Sequence, residues 1–153
     1  MKTETLESFY VIGIKVRTTN ENEQAAKDIV ALWNTFMSEQ ILDKIPNKIS
    51  SEIFSIYTNY ESDYTKPYDT ILGCKVSSID EVPNGMVAHT IKASTYKKSI
   101  AKGDLSKNVV YNKWLEIWNS KVDRLYTSDF EIYGEAASNP ENAEVPIFIA
   151  IKE

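Results

Sequence analysis

The stretch Asp129-Phe130-Glu131-Ile132-Tyr133-Gly134 decides how this chain is read. It is a short apolar strand with an acid inside it, ended by a glycine. Side chains alternate along a strand, so Glu131 and Tyr133 share one face while Phe130 and Ile132 share the other. If Phe130 and Ile132 face the helices, Glu131 and Tyr133 face a groove. Ile53-Phe54-Ser55-Ile56-Tyr57 echoes residues 129–133 at a distance of 76 positions. The order of elements around each copy agrees with that echo and points to an internal duplication.

Working outward, residues 9–17 (FYVIGIKVR) are β-branched and read as a strand. Acids at 19–23 suit a helix start. Over residues 24–42, Ala26, Ile29, Val30, Trp33, Phe36, Met37 and Ile41 recur at helical spacing, until Pro46 ends the pattern. Residues 49–59 and 68–77 read as strands, with a polar, tyrosine-bearing loop at 60–67 between them. A Pro83-Asn84-Gly85 turn precedes a strand at 86–93. Residues 96–104 read as a loop, broken by Lys102-Gly103-Asp104. A second helix is expected over about 105–120, with Val109, Val110, Trp114 and Ile117 on its apolar face. A polar loop at 136–143 leads to a closing strand at 145–151 (VPIFIAI).

The expected class is therefore α+β: a duplicated β-α-β-β unit forming an antiparallel sheet, with two main helices on one side and a groove between the halves. The chain, 1–153, is expected to be one domain, with halves at about 1–80 and 81–153. Pockets favour seams between structural units, so the groove is the natural ligand site.

Composition narrows the function. Net charge is −5 with no dense lysine or arginine run, which gives no nucleic-acid face. One Cys (Cys74) and one His (His89) supply neither an internal disulfide nor a zinc cluster. No apolar run nears the roughly 20 residues that span a bilayer, and the first residues lack an apolar signal core. The expected location is cytoplasmic, without membrane contact. No phosphate loop, dinucleotide fingerprint or GxSxG motif is present, so no cofactor is indicated. The nine Tyr and three Trp stand out against five Phe. Their OH and NH groups need partners when buried, so they either reach the surface or line a cavity.

Glu131 is the sharpest candidate. Held among rings, its carboxylate could pair with a cation, and tyrosine faces could add cation–π attraction. Its bland alternative is a solvated glutamate on an open sheet face. Tyr57 is the internal counterpart of Tyr133, and both fall near the groove. Tyr64 and Tyr68 flank the 60–67 loop and could form a lid. Tyr96 is a further candidate wall residue. Trp33 and Trp118 lie at helix edges that can lean over the groove, whereas Trp114 reads as core. His89 has no nearby Ser or Cys motif and reads as structural. Cys74 reads as a small strand residue.

The Phe-Glu-x-Tyr strand at 130–133, the Tyr-Asp-x-x-x-Gly run at 68–73, Gly103 before a Trp-bearing helix and the closing VPIFIAIKE together resemble the GyrI-like or AraC-type effector-binding domains. The resemblance covers nearly the whole chain. It implies a ligand pocket between the halves and binding of amphipathic, often cationic aromatic compounds. It implies that Glu131 counters the ligand charge and that Tyr57, Tyr68 and Tyr133 are wall residues. No segment long enough for a helix-turn-helix precedes the first strand, so the expectation is a stand-alone binder without direct nucleic-acid contact.

Three readings remain open. One is a small-molecule binding protein, whose affinity for aromatic cations falls in Glu131→Gln. Another is a small-molecule hydrolase using Glu131 and a tyrosine, as some members resembling this chain do. The last is a protein-interaction module, such as a gyrase-inhibitor-like protein or a partner of a transcription regulator.

Overall fold

The computed structural model describes residues 2–152. In chain order the elements are β1 (Lys2–Leu6), β2 (Phe9–Thr18), α1 (Gln24–Ser38), the short α2 (Ile41–Lys44), β3 (Ile53–Thr58), β4 (Tyr68–Val76), β5 (Val87–Ile91), β6 (Ser94–Gly103), α3 (Val109–Trp118), β7 (Ser128–Tyr133) and β8 (Ala143–Ala150). The strands form one antiparallel sheet in the order β1-β6-β8-β7-β3-β4-β2-β5. The α+β class read from the sequence is the class observed.

The strand order is symmetric about the β7–β3 boundary. β3 answers to β7, β4 to β8, β2 to β6 and β5 to β1. Each repeat therefore carries one strand more than the sequence suggested, and that first strand is exchanged. β1 pairs with β6 of the second half, and β5 pairs with β2 of the first. Of the residues 96–104 expected to be a loop, all but Asp104 lie in β6, which pairs with β8 from Tyr96↔Ala150 to Gly103↔Ala143. The lysines of STYKKSIAKG hid the strand. Lys98 holds its Nζ over the Phe148 ring, 5.5 Å from its centroid, and 3.7 Å from Glu4 Oε1. The strand at 86–93 is the exchanged edge strand β5 rather than the counterpart of β2.

At the centre, Ser55 pairs with Glu131, flanked by Phe54↔Ile132 and Ile56↔Phe130. Ser55 and Glu131 are also the counterparts in the 76-residue echo. The pseudo-twofold axis passes between them, which places one acid and one hydroxyl at the middle of the sheet.

Both helices lie on one face. Leu32 and Phe36 of α1 pack with Ile12, Ile14 and Leu72, and Trp114 and Ile117 of α3 pack with Val145, Ile147 and Ile149. The helix expected over 24–42 is two, because Gln40 adopts a left-handed conformation (φ 51°) between them. The opposite face holds its own core of Phe54, Ile56, Tyr96, Phe130 and Phe148. Three strand spacings separate β2 from β7, about 14 Å in a flat sheet, yet the Phe9 and Phe130 rings meet at 5.6 Å. The sheet must curl over this face. Gly13 and Gly73 face each other where β2 and β4 pinch together. A Cβ on Gly13 would meet the Leu72 carbonyl oxygen at 2.0 Å.

Candidate functional site

On the helix side a cavity of about 600 Å³ opens between α1 and α3, above the centre of β3 and β7. Its position corrects one step of the sequence reasoning. Phe130 points away from the helices, and the groove lies on the helix side, so Glu131 and Tyr133 share that face with α1 and α3.

Glu131 forms the floor and is 3% exposed. Three neutral groups donate to it. Tyr133 Oη bonds Oε1 at 2.7 Å, Trp114 Nε1 bonds Oε2 at 2.6 Å, and Tyr57 Oη bonds Oε2 at 2.9 Å. Ser55 Oγ donates in turn to Tyr57 Oη at 3.2 Å. Among the described residues, no lysine or arginine is ion-paired with Glu131. Burial raises its pKa above the usual carboxylate value, against the pull of the three donors. Burial and the nearby carboxylate push Tyr57 and Tyr133 up, so both stay protonated donors.

The walls follow the same pseudo-symmetry. Trp33 of α1 packs edge-on against Tyr133 at 5.1 Å, and Trp114 of α3 packs edge-on against Tyr57 at 5.5 Å. Each helix thus leans its indole on the other half's tyrosine. Tyr68 contacts Tyr57 at 6.0 Å and Tyr60 at 5.6 Å. Tyr68 Oη also donates to Asn20 Oδ1 at 2.6 Å, and Asn20 Nδ2 donates to the Tyr64 carbonyl at 2.8 Å. That relay ties the 60–67 loop to the start of α1. Tyr64 stacks on Trp118 at 5.2 Å with the planes 7° apart, closing the loop onto α3.

Of the sequence candidates, Glu131, Tyr133, Tyr57, Tyr68, Tyr64, Trp33 and Trp118 all line this cavity. Tyr96 does not. It is 1% exposed in the core of the opposite face, because β6 is a strand that turns its ring there. His89 lies on β5 with Nε2 3.3 Å from Thr58 Oγ1, away from the cavity wall, and Cys74 is buried in the α1-side core. Sequence reasoning missed Trp114, Tyr60 and Arg124. Trp114 sits at core spacing on its helix, and nothing in the sequence marks its N–H as aimed at Glu131. Arg124 is buried against Asp129, with its Nη2 2.8 Å from Asp129 Oδ2. Tyr60 Oη donates to the same oxygen at 2.6 Å.

Among the described residues no group of His, Cys, Asp and Glu could hold a metal. The chemistry available is that of a desolvated carboxyl with two tyrosine hydroxyls inside an aromatic box. Such a box can neutralise a cation, or move a proton to a reactive ligand.

This fold and this placement of the cavity define an effector-binding domain of the GyrI-like type. The chain belongs to the Cass2 family of integron-associated effector binding proteins, whose sequence profile matches residues 2–151. It is similar to the integron cassette protein VCH_CASS2 from the mobile metagenome of Vibrio cholerae, with 30% identity and a TM-score of 0.76 over 99% of this chain and 95% of that one. The structure of SAV2435 bound to tetraphenylphosphonium shares the fold, with a TM-score of 0.81 at 18% identity over 99% of this chain and 93% of that one. YobU of Bacillus subtilis (strain 168), which carries the name of a transcriptional regulator, is 28% identical over 145 residues, covering 92% of this chain and 91% of YobU. Small-molecule effector binding is thus the activity of the family. Among the described residues no helix is long and apolar enough to cross a membrane.

Proposed function

We propose that this chain binds amphipathic aromatic cations in the cavity between α1 and α3, with Glu131 as the counter-charge. The observation that carries the reading is a buried carboxylate whose three partners are all neutral, on the floor of a ring-lined cavity. Its desolvation is already present in the free protein, so a cation arriving beside it recovers Coulomb energy without a fresh penalty on the acid. Tyr57, Tyr68, Tyr133, Trp33 and Trp118 present ring faces and edges to the body of the ligand. The shared fold with SAV2435, bound there to tetraphenylphosphonium, supports the same ligand class here.

All three tryptophans line the cavity, so their fluorescence reports occupancy. Titration with tetraphenylphosphonium should quench saturably. Glu131→Gln should weaken binding by about 2 kcal/mol or more, about 30-fold. Equal affinity in wild type and variant sinks the charge-pairing role.

A second reading is favoured by the contact of Tyr57 and Tyr133 with a carboxyl whose pKa is raised. It is proton transfer to a strained, electrophilic ligand. Incubation with a panel of reactive electrophiles decides it: product that vanishes in Glu131→Gln while binding survives supports turnover, and no product from any of them removes it.

A further inference from the structure

Besides the acid, the cavity lining carries a guanidinium that a receptor for simple cations does not need. Arg124 lines the cavity, and its side chain is 5% exposed. Nη2 donates to Asp129 Oδ2 at 2.8 Å. Asp129 is otherwise occupied, since Oδ2 also accepts from Tyr60 Oη at 2.6 Å and Oδ1 accepts from the Ala150 amide at 2.8 Å. Arg124 Nε and Nη1 are buried and have no hydrogen-bond partner. What surrounds them is aromatic: the guanidinium lies 4.3 Å from the Tyr126 ring centroid, 5.8 Å from Trp114 and 5.9 Å from Tyr64. Ring faces attract the charge but give in-plane N–H groups no lone pair to bind. Buried donors are nearly always satisfied in native proteins. Two orphaned nitrogens of one side chain on a cavity wall mark where an oxygen acceptor of the ligand belongs.

The two polar ends of the cavity are one indole apart, because Trp114 bonds Glu131 through Nε1 and turns its ring to Arg124. A single aromatic molecule can reach both. We propose that the cavity selects amphoteric aromatic compounds, cationic at the Glu131 end and bearing a carboxylate at the Arg124 end. This rests on the cation reading of Glu131 and names the ligand class more narrowly. Entry at the Arg124 end displaces the Tyr64 ring, which is held on Trp118 by stacking at 5.2 Å. Arginine suits the task because its charge is already balanced by Asp129 while its remaining N–H groups stay directional donors.

The test uses two dyes with one xanthylium core, rhodamine 110 with a free carboxylate and rhodamine 123 with the methyl ester, followed by dye anisotropy. The acid should bind the wild-type protein at least about tenfold more tightly than the ester. Arg124→Lys keeps a cation opposite Asp129 but removes the planar donors, and should bring the two affinities together by weakening the acid. Circular dichroism checks that this variant folds; if it does not, the wild-type ratio alone decides. Equal or weaker binding of the acid by wild type overturns the proposal, as does a folded variant that keeps the acid preference. Ester binding that depends on Glu131, with no gain for the acid, leaves the cation reading standing and overturns only this step. Failure of both dyes to bind removes both.

Discussion

Consider Glu131→Gln in the absence of any ligand. Three donors converge on the carboxylate at 2.6–2.9 Å. A glutamine can keep all three contacts. Its oxygen accepts from Tyr57 and Trp114, and its NH2 donates to Tyr133 Oη once that hydroxyl turns round. The bonds lose their charge assistance, at about 1 kcal/mol each. Against this, the variant no longer buries an ion, a relief of several kcal/mol. Burial outweighs the donors in setting the Glu131 pKa, which lies above its ordinary value of 4.5. The net sign is therefore a gain, on the order of 1 kcal/mol at pH 7. The pH dependence follows from the same cause. A raised folded pKa means that folding takes up a proton, so the stability from this group is full below about pH 4.5 and is lost as pH rises through the folded value. Urea unfolding of both proteins at intervals from pH 5 to 8 reads the difference. The advantage of the variant should grow as pH rises and then level off. A variant that is about 2 kcal/mol less stable than wild type at pH 7, with no change in pH slope, is the opposite outcome. It would mean that the donors already satisfy the charge and leave nothing for a ligand to neutralise.

Other perturbations follow from the same geometry. Trp114→Phe removes the 2.6 Å donor to a buried carboxylate and should cost about 1.5–3 kcal/mol in urea unfolding, while pushing the Glu131 pKa higher. Asp129→Ala leaves Arg124 buried without its counter-ion and should cost about 3–5 kcal/mol by the same assay. Gly13→Ala drives a methyl group into the Leu72 carbonyl and should cost more than about 4 kcal/mol, read as loss of cooperative unfolding in far-UV circular dichroism. Tyr64→Ala removes the stack on Trp118 that closes the loop onto α3 and should speed release of tetraphenylphosphonium in stopped-flow fluorescence.

The duplication was legible because β3 and β7 are central, buried strands whose side chains are fixed by the same environment. Their echo puts Ser55 and Glu131 in equivalent places, and the register pairs them directly. The outer strands gave no such signal. β1 (KTETL) and β6 (STYKKSIAKG) carry charges because they lie at or beside a sheet edge, where exposed lysines discourage pairing with another chain. Taking residues 96–104 as a loop also misplaced Tyr96, whose alternation on β6 sends the ring to the far face. Glu131 stood out because a lone acid inside an apolar strand needs a reason, whereas Trp114 did not, since core and cavity tryptophans keep the same helical spacing. Arg124 lies outside any named strand or helix, and its pairing with Asp129 depends on how the chain enters β7. No local pattern encodes that.

The charge-pairing role of Glu131 is tested most directly by a crystal structure of the protein with tetraphenylphosphonium. With Glu131 as the counter-charge, phosphorus should lie within about 6 Å of its carboxylate, with phenyl rings against Tyr57, Tyr133 and Trp33. A ligand seated elsewhere, or in the cavity but remote from Glu131, contradicts that role.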